Sequence, residues 1–304
     1  MTILRSYKIT ATALLLFAGS NLFAQTGTTD QPLATPPYPG VNKDWAPSKT
    51  ADGAYDRIPH NSVPITWQPI RPTDVLWQKR VWREIDTREK QNVAFRYAGD
   101  ENSGGGMFIE ILLDAIKRGK IKAYSSFDDR FTAVLGKDQL MEKLTGKTDT
   151  LEITDPVNNT VTIQYVHHDF DPTTITKYRI KEDWIFDRNQ GQMVVRIIGI
   201  APVQDIYGGD DGLYRGSQAL FWLYYPDIRG LLAQYEVYNP ENDVNRYTWD
   251  EFFESRQFAS RITKVSNPFN ASFKEENLSP MEALYESKNV ADEIFNKEHD
   301  MWVY

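Results

Sequence analysis

The prolines are unevenly distributed along this chain of 304 residues, and this limits where a folded domain can begin. Nine of the sixteen prolines lie between Gln25 and Pro72, a segment with few aliphatic side chains. Because such a segment cannot bury enough apolar surface to fold alone, we expect residues 25–72 to form an extended arm or linker. Two interpretations are open. The segment is either a passive linker or an arm that lies on a neighbouring subunit, where Trp45, Tyr55 and Trp67 would make contacts.

The first 24 residues have the three-part pattern of a secretory signal peptide. Arg5 and Lys8 form a basic start, Ile9 to Ala18 is apolar, and Leu22-Phe23-Ala24 precedes Gln25. The apolar run is too short for a membrane anchor. The fit of all three parts favours export over the alternative, a buried N-terminal helix.

The sequence contains no cysteine. An exported chain without cysteine has no disulfides, so its stability must come from core burial, and it offers no thiol for acylation as a lipoprotein. We therefore expect any membrane association to be made through a partner. The formal net charge of −8 becomes −10 when Arg5 and Lys8 leave with the signal peptide, which argues against nucleic acid or anionic lipid as the main partner.

The clearest local signals of secondary structure lie between Ala219 and Asn267. Leu220 to Tyr225 is an apolar run of strand length, and the apolar spacing from Pro226 to Gln234 predicts a short helix. Thr248 and Glu251 form a capping box for a second helix. Because nothing in this stretch is arranged like an active site, we interpret it as a packing and docking surface.

The remaining patterns predict an α+β fold, with short helices packed on mixed or antiparallel sheets. We expect a globular core over residues 73–270 and a C-terminal loop and helix over residues 271–304. The apolar residues from Val75 to Ile85 predict a first helix that ends near Lys90. A repeated Arg-aromatic-Thr tripeptide, at Arg130 and Arg246, raises the alternative of two similar halves. Further helices are predicted at 107–118, 138–144 and 280–299, and strands at 121–124, 151–154, 160–166, 173–180, 183–186, 193–200 and 261–265.

No catalytic constellation is evident in the sequence. His167 and His168 are adjacent, and adjacent residues on a strand point to opposite faces, so they cannot easily share one metal ion. The acidic, glycine-rich residues 205–212 lack the ligand spacing of an EF-hand and predict a turn. The motifs of serine hydrolases and zinc proteases do not occur. A hydrolase with two carboxylates is an alternative, but no pair stands out. We therefore predict no catalytic residue, no cofactor and no metal.

Several longer motifs carry a family resemblance. They are Trp77-x-x-Arg80-Val81-Trp82-Arg83-x-Ile85-Asp86, Glu182-Asp183-Trp184, Val195 to Ile200, Tyr225-Pro226 with Arg229, Tyr235 to Asn239, Asn242-Asp243 with Arg246, Thr248 to Phe253 with Arg256, and Phe295 to Trp302. On these residues the chain resembles the GldN/PorN family of gliding-motility and type IX secretion proteins of Bacteroidetes-type bacteria. The resemblance covers most of Thr73 to Tyr304, whereas the proline-rich segment matches only in character.

This resemblance implies a non-enzymatic structural subunit of the type IX protein secretion and gliding-motility machinery. Such proteins lie in the periplasm and assemble with a partner lipoprotein of the GldK/PorK type into a ring under the outer membrane. They also engage the periplasmic part of the GldL/GldM-type motor complex. The alternative from another class is a periplasmic module that binds peptidoglycan or another glycan through exposed aromatic rings, with Trp222 and Trp249 as the residues to test.

The motif residues supply candidates for structural or interaction roles, either in holding turns together or in contacting a neighbour. The residues Ile228, Leu231, Phe252 and Phe253 are instead expected in the core. The twelve candidates are Trp82, Arg83, Trp184, Arg196, Tyr225, Arg229, Tyr235, Glu236, Asn242, Arg246, Trp249 and Arg256.

Overall fold

An antiparallel sheet with helices packed against it forms the fold. The computed structural model of the protein describes residues 63–98, 106–144, 148–154, 161–167, 170–208, 212–239 and 247–301. The strands are β1 (Val75–Asp86), β2 (Ala123–Tyr124), β3 (Thr148–Thr154), β4 (Val161–His167), β5 (Ile175–Asp187), β6 (Gln192–Tyr207), β7 (Tyr214–Ala219), β8 (Trp222–Tyr224) and β9 (Arg261–Val265). The helices are α1 (Phe108–Lys117), α2 (Lys137–Leu144), α3 (Tyr225–Leu232), α4 (Trp249–Glu254) and α5 (Pro280–Met301).

Seven of these strands form one sheet, in the order β2-β8-β6-β5-β1-β9, with β7 also paired to β6. Each pair in it is antiparallel. The strand β6 has 16 residues, so it pairs with β5 along one edge and with both β7 and β8 along the other. Strands β3 and β4 form a separate two-stranded hairpin. The α+β prediction with an antiparallel sheet is confirmed.

The predicted first helix is wrong, because Val75–Asp86 is the strand β1. It lies between β5 and β9 in the sheet, and other side chains pack on both of its faces. Val81 and Ile85 are 0% exposed on one face, while Trp82 and Glu84 are 6% exposed on the other. A strand buried on both faces loses the alternation of apolar and polar residues, and its apolar positions then imitate helical spacing.

The two strands predicted at 173–180 and 183–186 are one strand, β5. Lys181 and Glu182, the two residues between them, are buried within this strand, and so is Asp183. Buried charges are tolerated only when they are paired. Here each side chain has an oppositely charged partner: Asp129 for Lys181, Arg83 and Arg256 for Glu182, and Arg80 for Asp183.

The main core lies between one face of the sheet and the helices α1, α3 and α4. Phe95, which lies in a 3-10 turn after β1, is at its centre. Its ring centroid is 5.4 Å from that of Phe108, 5.1 Å from those of Tyr178 and Trp249, and 5.9 Å from that of Phe253. The four residues expected in the core, Ile228, Leu231, Phe252 and Phe253, belong to this cluster.

Local signals fixed several helix ends. Thr248 Oγ1 accepts from the Glu251 N–H, and the Glu251 carboxylate accepts from the Thr248 N–H, so the predicted capping box begins α4. Ser279 and Glu282 make the same exchange at the start of α5. The helix α1 ends before Gly119, whose φ of 72° suits a left-handed cap.

A second packing layer covers part of the opposite sheet face, around Trp82 and Trp222. Phe131 packs against this layer, and its ring lies directly over Gly199 of β6. A Cβ at Gly199 would be 2.4 Å from that ring, closer than any real contact allows. The glycine in the Val195–Ile200 motif is therefore required by the close approach of Phe131, which itself has a φ of 59°.

Two stretches of the chain share one local arrangement, an antiparallel bridge followed by a helix. After α1, Tyr124 forms an antiparallel bridge with Val134, and α2 follows. After α3, Glu236 forms such a bridge with Thr248, and α4 follows. The long strands β1, β5 and β6 belong to neither stretch.

Some predictions fall outside the described residues. They concern residues 1–62, His168, Asn242 and Arg246. Of the turn predicted at 205–212, the first three residues are the end of β6, and residues 209–211 lie outside the described ranges.

Candidate functional site

The last residues of the proline-rich segment are held against the folded core at Trp67. The Trp67 ring contacts two guanidinium groups, 4.2 Å from Arg229 and 4.8 Å from Arg196, measured from each guanidinium carbon to the ring centroid. It also stacks on Tyr225, with centroids 6.2 Å apart. The indole Nε1–H donates to Glu254 Oε2 at 2.8 Å. The indole therefore contacts two guanidinium groups, one aromatic ring and one carboxylate.

A buried ion pair between α3 and α4 forms the base of this site. Arg229 donates to both oxygens of Asp250, at 2.8 and 3.0 Å, and the two residues are 7% and 1% exposed. The backbone of Ile65 completes the pair: its N–H donates to Asp250 Oδ2 at 2.8 Å, and its carbonyl accepts from Arg229 Nη2 at 2.5 Å. A buried ion pair is favourable only when its remaining donors and acceptors are satisfied, and Ile65 satisfies one of each.

Two further contacts fix the edge of the site. Arg196 Nη2 donates to the Gln68 carbonyl at 2.9 Å. Burial lowers the pKa of Arg196, and the charge of Glu254 opposes that shift. The Tyr225 hydroxyl is 3.3 Å from Glu254 Oε1. Burial and the charge of Glu254 raise the pKa of Tyr225 well above its usual value, so this hydroxyl stays protonated and donates. We call the set Trp67, Arg196, Tyr225, Arg229, Asp250 and Glu254 the Trp67 site.

A second buried cluster lies around Glu182 of β5, which is 0% exposed. Its carboxylate accepts from Arg83 at 2.5 Å, from Arg256 at 2.8 Å and from the Trp184 indole at 2.8 Å. Burial acts to raise the pKa of Glu182, but the charges of Arg256 and Arg83 outweigh it, so the pKa is below its usual value. Both guanidinium groups also lie against the Trp184 ring, at 5.6 and 5.3 Å.

Arg256 occupies an unusual backbone position to reach this cluster. The N–H groups of Arg256 and Gln257 donate to the carbonyls of Phe253 and Phe252, respectively. This is the Schellman motif, in which the residue at the Arg256 position is left-handed and is usually glycine. Arg256 has a φ of 55° in that position. Its side chain bridges the end of α4 to the middle of β5, which a glycine could not do.

The candidate residues are thus distributed over several places. Arg196, Tyr225 and Arg229 belong to the Trp67 site, and Arg83, Trp184 and Arg256 to the Glu182 cluster. Trp82 lies on the opposite sheet face, where its Nε1–H donates to Asp129 Oδ2 at 2.8 Å. Trp249 is a core residue, Tyr235 packs against the core, and Glu236 is buried beside Thr248; Asn242 and Arg246 lie outside the described residues.

Sequence reasoning missed four residues that complete these sites: Trp67 as a docked ring, Glu182 as the centre of a cluster, and Asp250 and Glu254 as partners of Arg229 and Trp67. One signal was available for the last two. Asp250 and Glu254 are spaced at i and i+4 on α4, so they project from one face of the helix.

The rings proposed for glycan stacking are not accessible. Trp222 and Trp249 are each 3% exposed, and none of the six tryptophans in the described ranges is mostly exposed. Across the same ranges, no cluster of three His, Asp or Glu side chains is placed to hold a metal ion. The helices described there are also too short or too polar to cross a membrane.

The chain matches the model of a known protein family. No curated protein matches the chain. The model of a family described as "Gliding motility associated protein GldN" matches residues 70–303, a range that begins three positions after Trp67 and contains the whole sheet and its helices. The chain therefore belongs to the GldN family of gliding motility associated proteins.

Proposed function

We propose that this GldN family member is a non-enzymatic structural subunit of the type IX secretion and gliding-motility machinery. It assembles in the periplasm with a lipoprotein of the GldK/PorK type into a ring under the outer membrane, and it meets the periplasmic part of a GldL/GldM-type motor complex. The family match over residues 70–303 carries this proposal. The signal-like N-terminus and the absence of cysteine support export and attachment through a partner.

The use of charged residues in the core supports a structural role. Most of the buried ion pairs described above bridge distant parts of the chain, as Arg229–Asp250 does between α3 and α4 and Glu182–Arg256 between β5 and the end of α4. Their donors and acceptors are used by one another, by indoles and by backbone groups. Such an arrangement holds elements in a fixed geometry, which a subunit of a large assembly requires.

The Trp67 site suggests how the proline-rich segment takes part. Because Ile65 and Gln68 are hydrogen-bonded to the core, residues 25–62 start from a fixed point on the subunit surface. An extended proline-rich chain spans about 3.1 Å per residue, so this segment is long enough to reach a neighbouring subunit. We place it there, as an arm that joins subunits.

Co-expression with the GldK/PorK-type lipoprotein tests this proposal. The full chain should co-purify with the lipoprotein and form rings visible by electron microscopy. A chain lacking residues 29–62, which keeps both the predicted cleavage site and the Trp67 site, should fold and bind but form incomplete rings. Failure of the full chain to co-purify would contradict the assembly role. Complete rings without residues 29–62 would contradict only the arm, and would make the segment a linker.

A further inference from the structure

A long groove crosses the sheet face opposite α1, α3 and α4. It encloses about 1180 Å³. Side chains alternate along a strand, so Tyr178 and Ile180 face the helical core while Lys177 and Arg179 face this groove. The floor comes from β1, β5 and β9, and the walls come from residues 126–129 on one side and 270–284 on the other. The groove is therefore built from rigid strands and has room for an extended peptide.

The carboxylates that line the groove are already engaged. Glu84 pairs with Arg261 at 2.7 Å and with Lys177 at 3.6 Å. Asp129 accepts from the Trp82 indole and pairs with Lys181, and Asp128 pairs with Arg130. Glu275 accepts from the Ser272 N–H at 2.6 Å. The charges of Lys264 and Arg179 also help to lower the pKa of Glu275, but from beyond ion-pair distance.

Three of the cations in the groove have no such partner. Arg179, Lys264 and Lys274 have no carboxylate within 4 Å in the part of the chain that the structure describes. Arg179 Nε is buried and has no hydrogen-bond acceptor. A buried N–H without an acceptor costs free energy, which an incoming acceptor would recover. Arg179 is thus a donor without its acceptor, at the floor of an open groove.

Lys264 lies beside Arg179 and is held in place by an aromatic ring. Its ammonium is 4.5 Å from the Trp82 ring centroid. Burial lowers its pKa, and the charge of Arg179 acts in the same direction, while Asp129 and Glu275 oppose the shift. An anion placed between Arg179 and Lys264 would relieve the repulsion between them.

The rims of the groove carry apolar side chains. Phe127 is 89% exposed on one wall, and Leu284 and Tyr214 are more than half exposed elsewhere on the lining. A peptide whose carboxylate reaches the floor could place its neighbouring apolar side chains against these residues. A polyphosphate would bring one negative charge per unit against the four carboxylates of the lining, whereas a peptide with one carboxylate needs only the space at Arg179 and Lys264. Nucleic acid is therefore a poor fit.

We infer that this groove binds an extended, carboxylate-bearing peptide segment of a partner protein, with a carboxylate at Arg179 and Lys264. A guanidinium binds a carboxylate by two parallel hydrogen bonds. A side-chain amide in place of the carboxylate has the same shape but forms weaker hydrogen bonds with the guanidinium. This inference goes beyond the proposed assembly role and does not depend on which machinery the protein serves.

Fluorescence anisotropy with the purified full chain tests it. The probe is a fluorescein-labelled ten-residue peptide of Thr and Leu with one central Glu, and its control is the same peptide with Gln in place of Glu. We expect the Glu peptide to bind at least about tenfold more tightly, the equivalent of one charge-assisted hydrogen bond. Equal binding of the two peptides, or no binding of either, would overturn the inference.

Variants locate the binding on the groove. Arg179→Gln and Lys264→Gln should each weaken binding of the Glu peptide by about tenfold. Lys120→Gln, an exposed cation outside the groove lining, removes the same charge and should leave binding unchanged. Lys264→Gln provides the test if Arg179→Gln fails to fold, which thermal melting will show. A loss of affinity in Lys120→Gln equal to that in the groove variants would overturn the assignment. So would a single-stranded oligonucleotide that displaces the labelled peptide more effectively than the unlabelled Glu peptide does.

Discussion

Arg229 and Trp67 form the contact that fixes the proline-rich segment to the core. The Arg229 guanidinium carbon is 4.2 Å from the Trp67 ring centroid, while the same guanidinium pairs with Asp250 behind it. It also donates to the carbonyl of Ile65, although 164 positions separate the two residues in sequence. One arginine therefore links the arm, α3 and α4, and its removal affects all three.

Trp67→Ala should destabilise the protein by about 2–4 kcal/mol, because it removes two guanidinium–aromatic contacts and a hydrogen bond to Glu254. Trp67→Phe keeps a ring in contact with the guanidinium groups but loses the indole N–H, so it should cost about half as much free energy. Urea unfolding measures both free energies. A Trp67→Ala protein as stable as the wild type would show that the arm is not docked.

Arg229→Met should cost about 3–5 kcal/mol of unfolding free energy, because it leaves the Asp250 carboxylate buried without its cation. The double variant Arg229→Met with Asp250→Leu removes both charges and should recover part of that loss. A double-mutant cycle measured by urea unfolding gives the coupling free energy between Arg229 and Asp250. Strictly additive effects of the two substitutions would mean that the pair is not coupled.

The free energy of unfolding should decrease at acid pH because Glu182 becomes protonated. The pKa of Glu182 in the folded protein is below its ordinary value of 4.5. As the pH falls, the unfolded chain is therefore protonated at this residue before the folded protein is. The stabilisation is therefore present above about pH 4.5 and is lost as the pH falls through the folded pKa.

The variant Glu182→Gln isolates this group. It should be less stable than the wild type near pH 7, because Arg83 and Arg256 lose their counter-charge. The difference should shrink as the pH falls from 6 to 3, as measured by urea unfolding at each pH. Parallel curves for the two proteins would exclude Glu182 as the titrating group.

Gly199→Ala should destabilise the protein by about 1–3 kcal/mol, because its Cβ would collide with the Phe131 ring. Gly230→Ala is the matched control: this glycine lies in α3 with no atom near the added methyl, so alanine should stabilise the helix by up to about 1 kcal/mol. Thermal melting of both variants is sufficient. Equal effects of the two substitutions would contradict the close packing of Phe131.

The helix ends that the sequence predicted correctly are determined by residues close to them in the chain. Thr248 and Glu251 cap α4 by bonds to each other's backbone, and Gly119 ends α1 through its own φ angle. The strand β1 could not be recognised in this way, since its pattern is set by what covers its two faces. The continuity of β5 through Lys181 and Glu182 was not predictable either, because the partners of Glu182 lie 99 and 74 positions away.

The candidate site was predictable only in part. Arg196, Tyr225 and Arg229 stood out as members of family motifs, but their common partner did not. Trp67 lies before those motifs, 187 positions from Glu254, in a segment whose composition indicates no fold of its own. Only tertiary structure shows that this ring, two arginines and two acids of α4 form one site.

Secretion of type IX cargo into the medium by a strain lacking the gene tests the central claim most directly. We predict that secretion is lost in the deletion strain, together with gliding where the host glides, and that the full chain restores it. Complementation by Trp67→Phe should succeed, and by a chain lacking residues 29–62 should fail. Normal cargo secretion in the deletion strain would contradict the role in secretion.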